Sequence, residues 1–178
     1  MNKTTLTLPS VKTLLILLVS CLALRFISLS LYPLMDTTEA RYGEMARIMF
    51  ETGNWITPMF DYNVPFWGKP PIFTWLSSLG FSLFGVNEFA ARVPHLIVGV
   101  GVVWLVYKLA KDHFQSSAMG LFSASILAST VSFIILSGAV MTDTALTFSI
   151  TLSMISFWQA WNNKGKLWGY LFFIGLAL

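Results

Sequence analysis

An all-α integral membrane fold, a bundle of several spanning helices, is predicted by three observations. Of 178 residues, 56% are hydrophobic and only 11% charged, against roughly 25% charged in a soluble domain, and the mean hydropathy is +0.71. Apolar runs long enough to span hydrocarbon occur at residues 11–31, 93–110, 118–138 and 144–161. The lysines flanking these runs fall on one side of a bilayer when the runs alternate in direction. Membrane lipids are thus the solvent for most side chains, and the net charge of +3 matters through its placement. Nucleic acid is not an expected partner.

The first run, 11–31, is longer than a signal-peptide core and lacks a small-residue cleavage site, which makes it a retained span and a possible signal anchor. It holds the single cysteine, Cys21, so no disulfide framework is available. Residues 32–92 follow as a long connection with most of the acidic residues and two candidate helices. Over 38–52, Tyr42, Met45, Ala46, Met49 and Phe50 share one stripe opposite Glu44, Arg47 and Glu51, the pattern of a helix lying in the membrane interface. Over 71–84 a helix opens on proline and stops at Gly85, either as a short span or as a second interfacial helix.

Charge placement decides between those two. If 71–84 does not cross, Lys3, Lys12, Lys108, Lys111, Lys164 and Lys166 all lie on the cytoplasmic side. If it crosses, Lys3 and Lys12 oppose the other four. The first arrangement also leaves Asp112 as the only cytoplasmic carboxylate of eight. The stretch 162–165, Asn-Asn-Lys-Gly, reads as a tight turn. The 12 apolar residues from Leu167 reach about 18 Å of the ~30 Å required, so the last span is expected to be incomplete and the chain to be the N-terminal part of a longer protein.

Lys69, inside "FWGKPPIFTW", is then the only lysine on the outer face, where Asp36, Glu39 and Asp143 also lie. Its ammonium, flanked by Trp67, Phe73 and Trp75, suits a lipid phosphate at the interface; snorkelling from an aromatic belt is the structural alternative. Asp36 and Glu39 are either general-base carboxylates at the membrane surface or the D-x-x-E of a capping box. Asp143 is either a functional acid at the hydrocarbon edge or the N-cap of a helix from Thr144. Arg41 and Arg92 either hold phosphate oxygens or neutralise these acids, and Arg25 reads as a snorkelling residue near the outer end of its span. His95 and His113 have no metal-ligand spacing, and neither a metal site nor a cofactor is expected.

The ordered elements "EARYGEMAR", "GNWITP", "GKPPIFTWL", "LFGVNEFAARVPHL" and "MTDTAL", covering residues 14–161, resemble the N-terminal part of the ArnT-like membrane glycosyltransferases, relatives of the protein mannosyltransferases. The resemblance implies a GT-C fold with two juxtamembrane helices in its first outer loop. It implies transfer of a sugar from a polyprenyl-phosphate donor to a lipid A-like, glycan or protein acceptor at the outer face of the cytoplasmic membrane. Lys69 falls on the family's KPP lysine and inherits contact with the donor phosphate; Asp36 and Asp143 fall on its loop and fourth-span carboxylates. Many members have adjacent Asp-Glu before the Arg-Tyr pair, whereas two threonines separate Asp36 from Glu39 here, so both are carried as candidate acids. Tyr42 matches the family tyrosine and is carried as a donor-site contact. The missing remainder implies that this stretch alone is inactive. The rival reading is a transporter or flippase subunit for a lipid-linked substrate, which would show ionisable residues near the centres of its spans.

Overall fold

The computed structural model describes residues 9–35 and 37–178; Lys3 and Asp36 lie outside them. Helix α1 (Val11–Ser28) opens on Ser10, whose hydroxyl oxygen accepts the Thr13 N–H at 3.1 Å. Only Leu14 and Arg25 of α1 are buried, so most of its apolar surface faces outward, as suits a helix in lipid. With helix α4 (Glu88–Phe114) it is long and apolar enough to cross a membrane.

Between them the chain turns back on itself at one end of the bundle. Helix α2 (Thr37–Thr52) buries Tyr42, Met45, Ala46, Ile48 and Met49, while Arg47 pairs with Glu44 and Glu51 on its outer face. The amphipathic stripe expected from the sequence is present, but it is covered by helix α3 (Ile72–Phe84) and the start of α4, with Phe73, Phe81, Ala90 and Ala91 in the same cluster. A short hairpin, β1 (Met59–Asp61) and β2 (Val64–Pro65), separates α2 from α3, turning at Asn63 in the left-handed region. It was not expected, being only five residues of strand with no alternating apolar signal. Helix α3 has 13 residues, about 20 Å and short of the ~30 Å of hydrocarbon.

Small residues seat α3 antiparallel on the first turns of α4. Ser77 Oγ donates to the Ala91 carbonyl at 2.9 Å, and a Cβ on Gly80 would strike the Ala90 carbonyl. Pro94 has no N–H for that carbonyl, so the backbones approach here without breaking a helix bond. Ser77 has one hydrogen, spent on Ala91, so the buried His95 Nε2, 3.0 Å away, is the donor to Ser77 Oγ.

The run at 118–138 is not one helix. It divides into α5 (Ser117–Ser129) and α6 (Val131–Leu136) at Thr130, whose backbone is extended and whose hydroxyl donates back to the Ile126 carbonyl at 2.9 Å. Gly138, at φ 90°, then turns the chain into α7 (Thr142–Trp161), which begins two residues before the expected Thr144. The turn at 162–165 leads to α8 (Lys166–Ala177), packed on α7 where Ser149 Oγ donates to the Gly175 carbonyl at 2.5 Å. Helix α4 runs parallel to α7: their starts meet around Arg92 and Val140, their ends around Asp112 and Gln159, which are joined at 3.0 Å. Lys108, Lys111, Lys164 and Lys166 gather at that second end, and Lys69 is at the first.

Candidate active site

At the end opposite the lysine cluster, three long-range contacts converge on residues 137–143, from Lys69, Glu39 and Arg25. From the outer loop, Lys69 Nζ donates to Thr142 Oγ1 at 3.0 Å, across 73 residues of chain. The ammonium is exposed, and Asp143, the chain neighbour of Thr142 on the first turn of α7, is also exposed. Asp143 is not the N-cap expected from the sequence; Met141 holds that position and offers no side-chain acceptor, so the carboxylate sits inside the first turn, where the N-terminal helix dipole favours it.

The Lys69 loop is anchored on α2. Tyr42 packs against Phe73, tilted, with ring centroids 4.4 Å apart, and edge-on against Phe66 at 6.4 Å, so aromatic residues three before and four after Lys69 are held on one buried ring. Trp75 Nε1 donates to the Trp55 carbonyl at 2.5 Å, tying α3 to the chain after α2. Tyr42 therefore shapes the loop from beneath. Arg41 is exposed and lies over the Tyr42 ring at 5.3 Å, so its guanidinium is open to an anion.

The second contact is buried. Arg92 forms a two-point pair with Glu39, Nε to Oε1 at 2.9 Å and Nη2 to Oε2 at 2.8 Å. Its other hydrogens go to the carbonyls of Leu29 (2.9 Å), Tyr32 (2.7 Å) and Pro33 (2.8 Å), and it stacks over the Tyr32 ring. Of the two roles open to Arg92, the geometry supports neutralisation, because no donor is left for a phosphate and the side chain is wholly buried. Glu39 Oε1 also accepts the Val140 N–H at 3.2 Å. Burial pushes the Glu39 carboxyl up, but hydrogen bonds from Arg92 and the Val140 N–H, with the Arg92 charge, outweigh it and hold the group below the usual carboxylate range. It is a weak proton acceptor, and its oxygens are committed to α4 and the 140 backbone rather than to a capping box alone.

Arg25 also departs from expectation. It does not snorkel: it is buried, and its Nε donates to the Ser137 carbonyl at 2.6 Å and Nη2 to the Ile135 carbonyl at 3.2 Å, with Nη1 on Tyr32 Oη at 2.7 Å and Ser28 Oγ at 3.1 Å. The available signal was an arginine inside a hydrophobic span, which is costly unless it has specific partners. At this end α1 and α4 also flank an apolar groove of about 480 Å³, lined by Phe26, Phe84, Phe89, Val93 and Leu96 among others.

A family model described as dolichyl-phosphate-mannose-protein mannosyltransferase matches residues 10–178. The chain belongs to this family. An uncharacterized protein of Aquifex aeolicus (strain VF5) is 31% identical over 165 residues, covering 93% of this chain and 32% of that protein. The undecaprenyl phosphate-alpha-4-amino-4-deoxy-L-arabinose arabinosyl transferase of Enterobacter sp. (strain 638) is 31% identical over 171 residues, covering 92% and 30%. The crystal structure of ArnT from Cupriavidus metallidurans bound to undecaprenyl phosphate superposes with a TM-score of 0.73 at 24% identity, covering 83% of this chain and 27% of that one. That likeness shows the fold, the GT-C helical membrane architecture. The chain spans less than a third of the length of each of these proteins.

Proposed function

We propose that the full-length protein is a polyprenyl-phosphate-sugar-dependent glycosyltransferase of the inner membrane, its site facing the periplasm. The donor is a sugar on a polyprenyl phosphate, and the acceptor is a lipid A-like molecule, a glycan or a protein hydroxyl. Family membership and the arabinosyl transferase relatives support the reaction class. The contact that carries the reading is Lys69 on Thr142, because it joins the outer-loop ammonium to the helix turn bearing Asp143. A cation bonded to the residue that precedes an exposed carboxylate suits a transfer in which one anion leaves as a proton is withdrawn from the attacking group.

In this mechanism the donor phosphate takes the place of Thr142 as the partner of Lys69, with exposed Arg41 as a second cation, while the polyprenyl tail follows the apolar groove between α1 and α4. Asp143, or Asp36 of the outer connection 32–92, accepts the proton of the acceptor as it attacks the anomeric carbon. The sugar–phosphate bond breaks, and the charge gathering on the phosphate is met by Lys69. Glu39, Arg92 and Tyr42 hold this arrangement and do not touch the reacting atoms. The transporter reading is weaker: between Arg92 and Lys108 in α4, throughout α5 and after Asp143 in α7, no charged residue occurs.

Removing one preorganised charge partner from a transition state costs about 10²–10³ in kcat. Lys69→Ala in the full-length enzyme is expected to lower transfer by that factor, and unchanged turnover excludes the phosphate role. Mass spectrometry of envelope glycolipids and glycoproteins, with and without the intact gene, identifies the acceptor as the molecule that loses one sugar.

A further inference from the structure

Two clamps hold the turn that delivers Asp143, one on each side of Gly138. Downstream, Glu39 accepts the Val140 N–H. Upstream, Arg25 binds the Ile135 and Ser137 carbonyls, which α6 leaves without helical partners at its C-terminal end. A guanidinium there is favoured by the helix dipole as well as by two hydrogen bonds. The clamps share a part: Tyr32 accepts from Arg25 through its hydroxyl, and accepts from Arg92 through its carbonyl while stacking beneath it. Thr144 Oγ1 donates to the Leu136 carbonyl at 2.8 Å, so α7 is attached to the same helix end that Arg25 holds.

We infer that Arg25 is a positioning residue for the transfer site: by pinning the end of α6 from the first span, it places Thr142 against Lys69 and so sets where the turn carries Asp143. It is buried and touches neither Lys69 nor Asp143, so it acts only through the turn. The left-handed Gly138 supplies the reason a clamp is needed. At φ 90° the turn has no side chain of its own to fix it; Leu29 lies 2.9 Å from where a Cβ would stand, and Arg25 Nη2 lies 3.5 Å from it, in ordinary contact.

This inference rests on the transferase reading, and its test separates the two. In the full-length protein, otherwise free of cysteine, Lys69→Cys and Thr142→Cys are joined with a short bifunctional methanethiosulfonate in native membranes. Arg25→Ala is expected to lower the cross-linking yield roughly tenfold, the population shift for losing hydrogen bonds to a charged group. Arg25→Lys, which keeps the charge and reaches one carbonyl, is expected to fall between and serves alone if the alanine protein does not accumulate. Wild-type yield in either variant overturns the inference whatever the protein's activity. With cysteine-free enzyme retaining Lys69 and Thr142, undecaprenyl-phosphate-linked 4-amino-4-deoxyarabinose is supplied as donor and lipid A as acceptor. There Arg25→Ala should lower kcat by about 10²-fold, as misplacement by an ångström does, leaving the donor KM little changed. A rise in KM with kcat intact also overturns it. Absence of wild-type turnover shows that this sugar or this acceptor is not the enzyme's own, while cross-linking still decides the placement.

Discussion

Glu39 and Arg92 show how one residue pair can carry a loop. Both are buried, and every hydrogen-bonding group of the guanidinium has a partner. Removing one member of such a pair costs about 3–5 kcal/mol because the other charge stays buried and unpaired. Arg92→Ala should therefore lower the melting temperature of the detergent-solubilised protein sharply, whereas Arg47→Ala, on an exposed ion-pair cluster, should leave it nearly unchanged. The pair also predicts an acid limb. The folded Glu39 carboxyl is held below its ordinary value, near 4.3 in the unfolded chain, so its contribution is complete above that pH and lost as pH falls toward the folded value. Thermal stability should be level down to about pH 5 and then decline. Glu39→Gln should be less stable at neutral pH and lack that component of the decline.

Among the elements, α3 is the one whose seating depends most on absent atoms. Gly80 and the serines Ser77 and Ser78 lie where α3 meets α4 and α2, and Ser78 Oγ reaches the Ala46 carbonyl at 2.8 Å. The obstacle facing Gly80 is backbone, at Ala90, which cannot swing aside as a side chain can. Gly80→Ala should push α3 off α4 at a cost of about 1–3 kcal/mol, read as a lower melting temperature. Gly169→Ala in α8 is the control: nothing lies within 4 Å of the added methyl, and alanine is the better helix former. Because α3 follows the Lys69 loop directly, the Gly80 variant should also lose transfer activity, which the control should keep.

For the whole molecule, the prediction concerns sides of the membrane. The contacts Arg92–Glu39, Ser78–Ala46 and Lys69–Thr142 keep the described residues between 29 and 92 at one end of the bundle, and Asp112–Gln159 marks the other. Single cysteines replacing Asp61 and Asp143 should both react with an impermeant thiol reagent from outside the cell. A cysteine replacing Lys164 should react only after permeabilisation. Labelling of 61 and 143 from opposite sides would contradict both the bundle direction and the proposed site.

What could be read from residues alone was set by the solvent. Bilayer thickness fixes the length of an apolar run, and cations gather at one end of a bundle, so the membrane class, the order of the helices, the shortness of α3 and the separation of Lys69 from the described lysines at the other bundle end followed from segment composition. The amphipathic stripe of α2 was legible for the same reason, since 3.6-residue periodicity is local. The pairings were not. Glu39 finds Arg92 53 residues away, Lys69 finds Thr142 73 away, and Arg25 finds Ser137 112 away. No spacing rule reaches across such distances, so a capping box and a snorkelling arginine were natural local readings of residues that are cross-braces. The division of α5 from α6 at Thr130 and the early start of α7, which takes Asp143 off the cap position, also awaited the packed bundle. A lipid-facing apolar run is compatible with many helix partners, and the choice among them depends on small residues such as Gly80 and on a glycine turn, whose effect is the shape of the gap they leave.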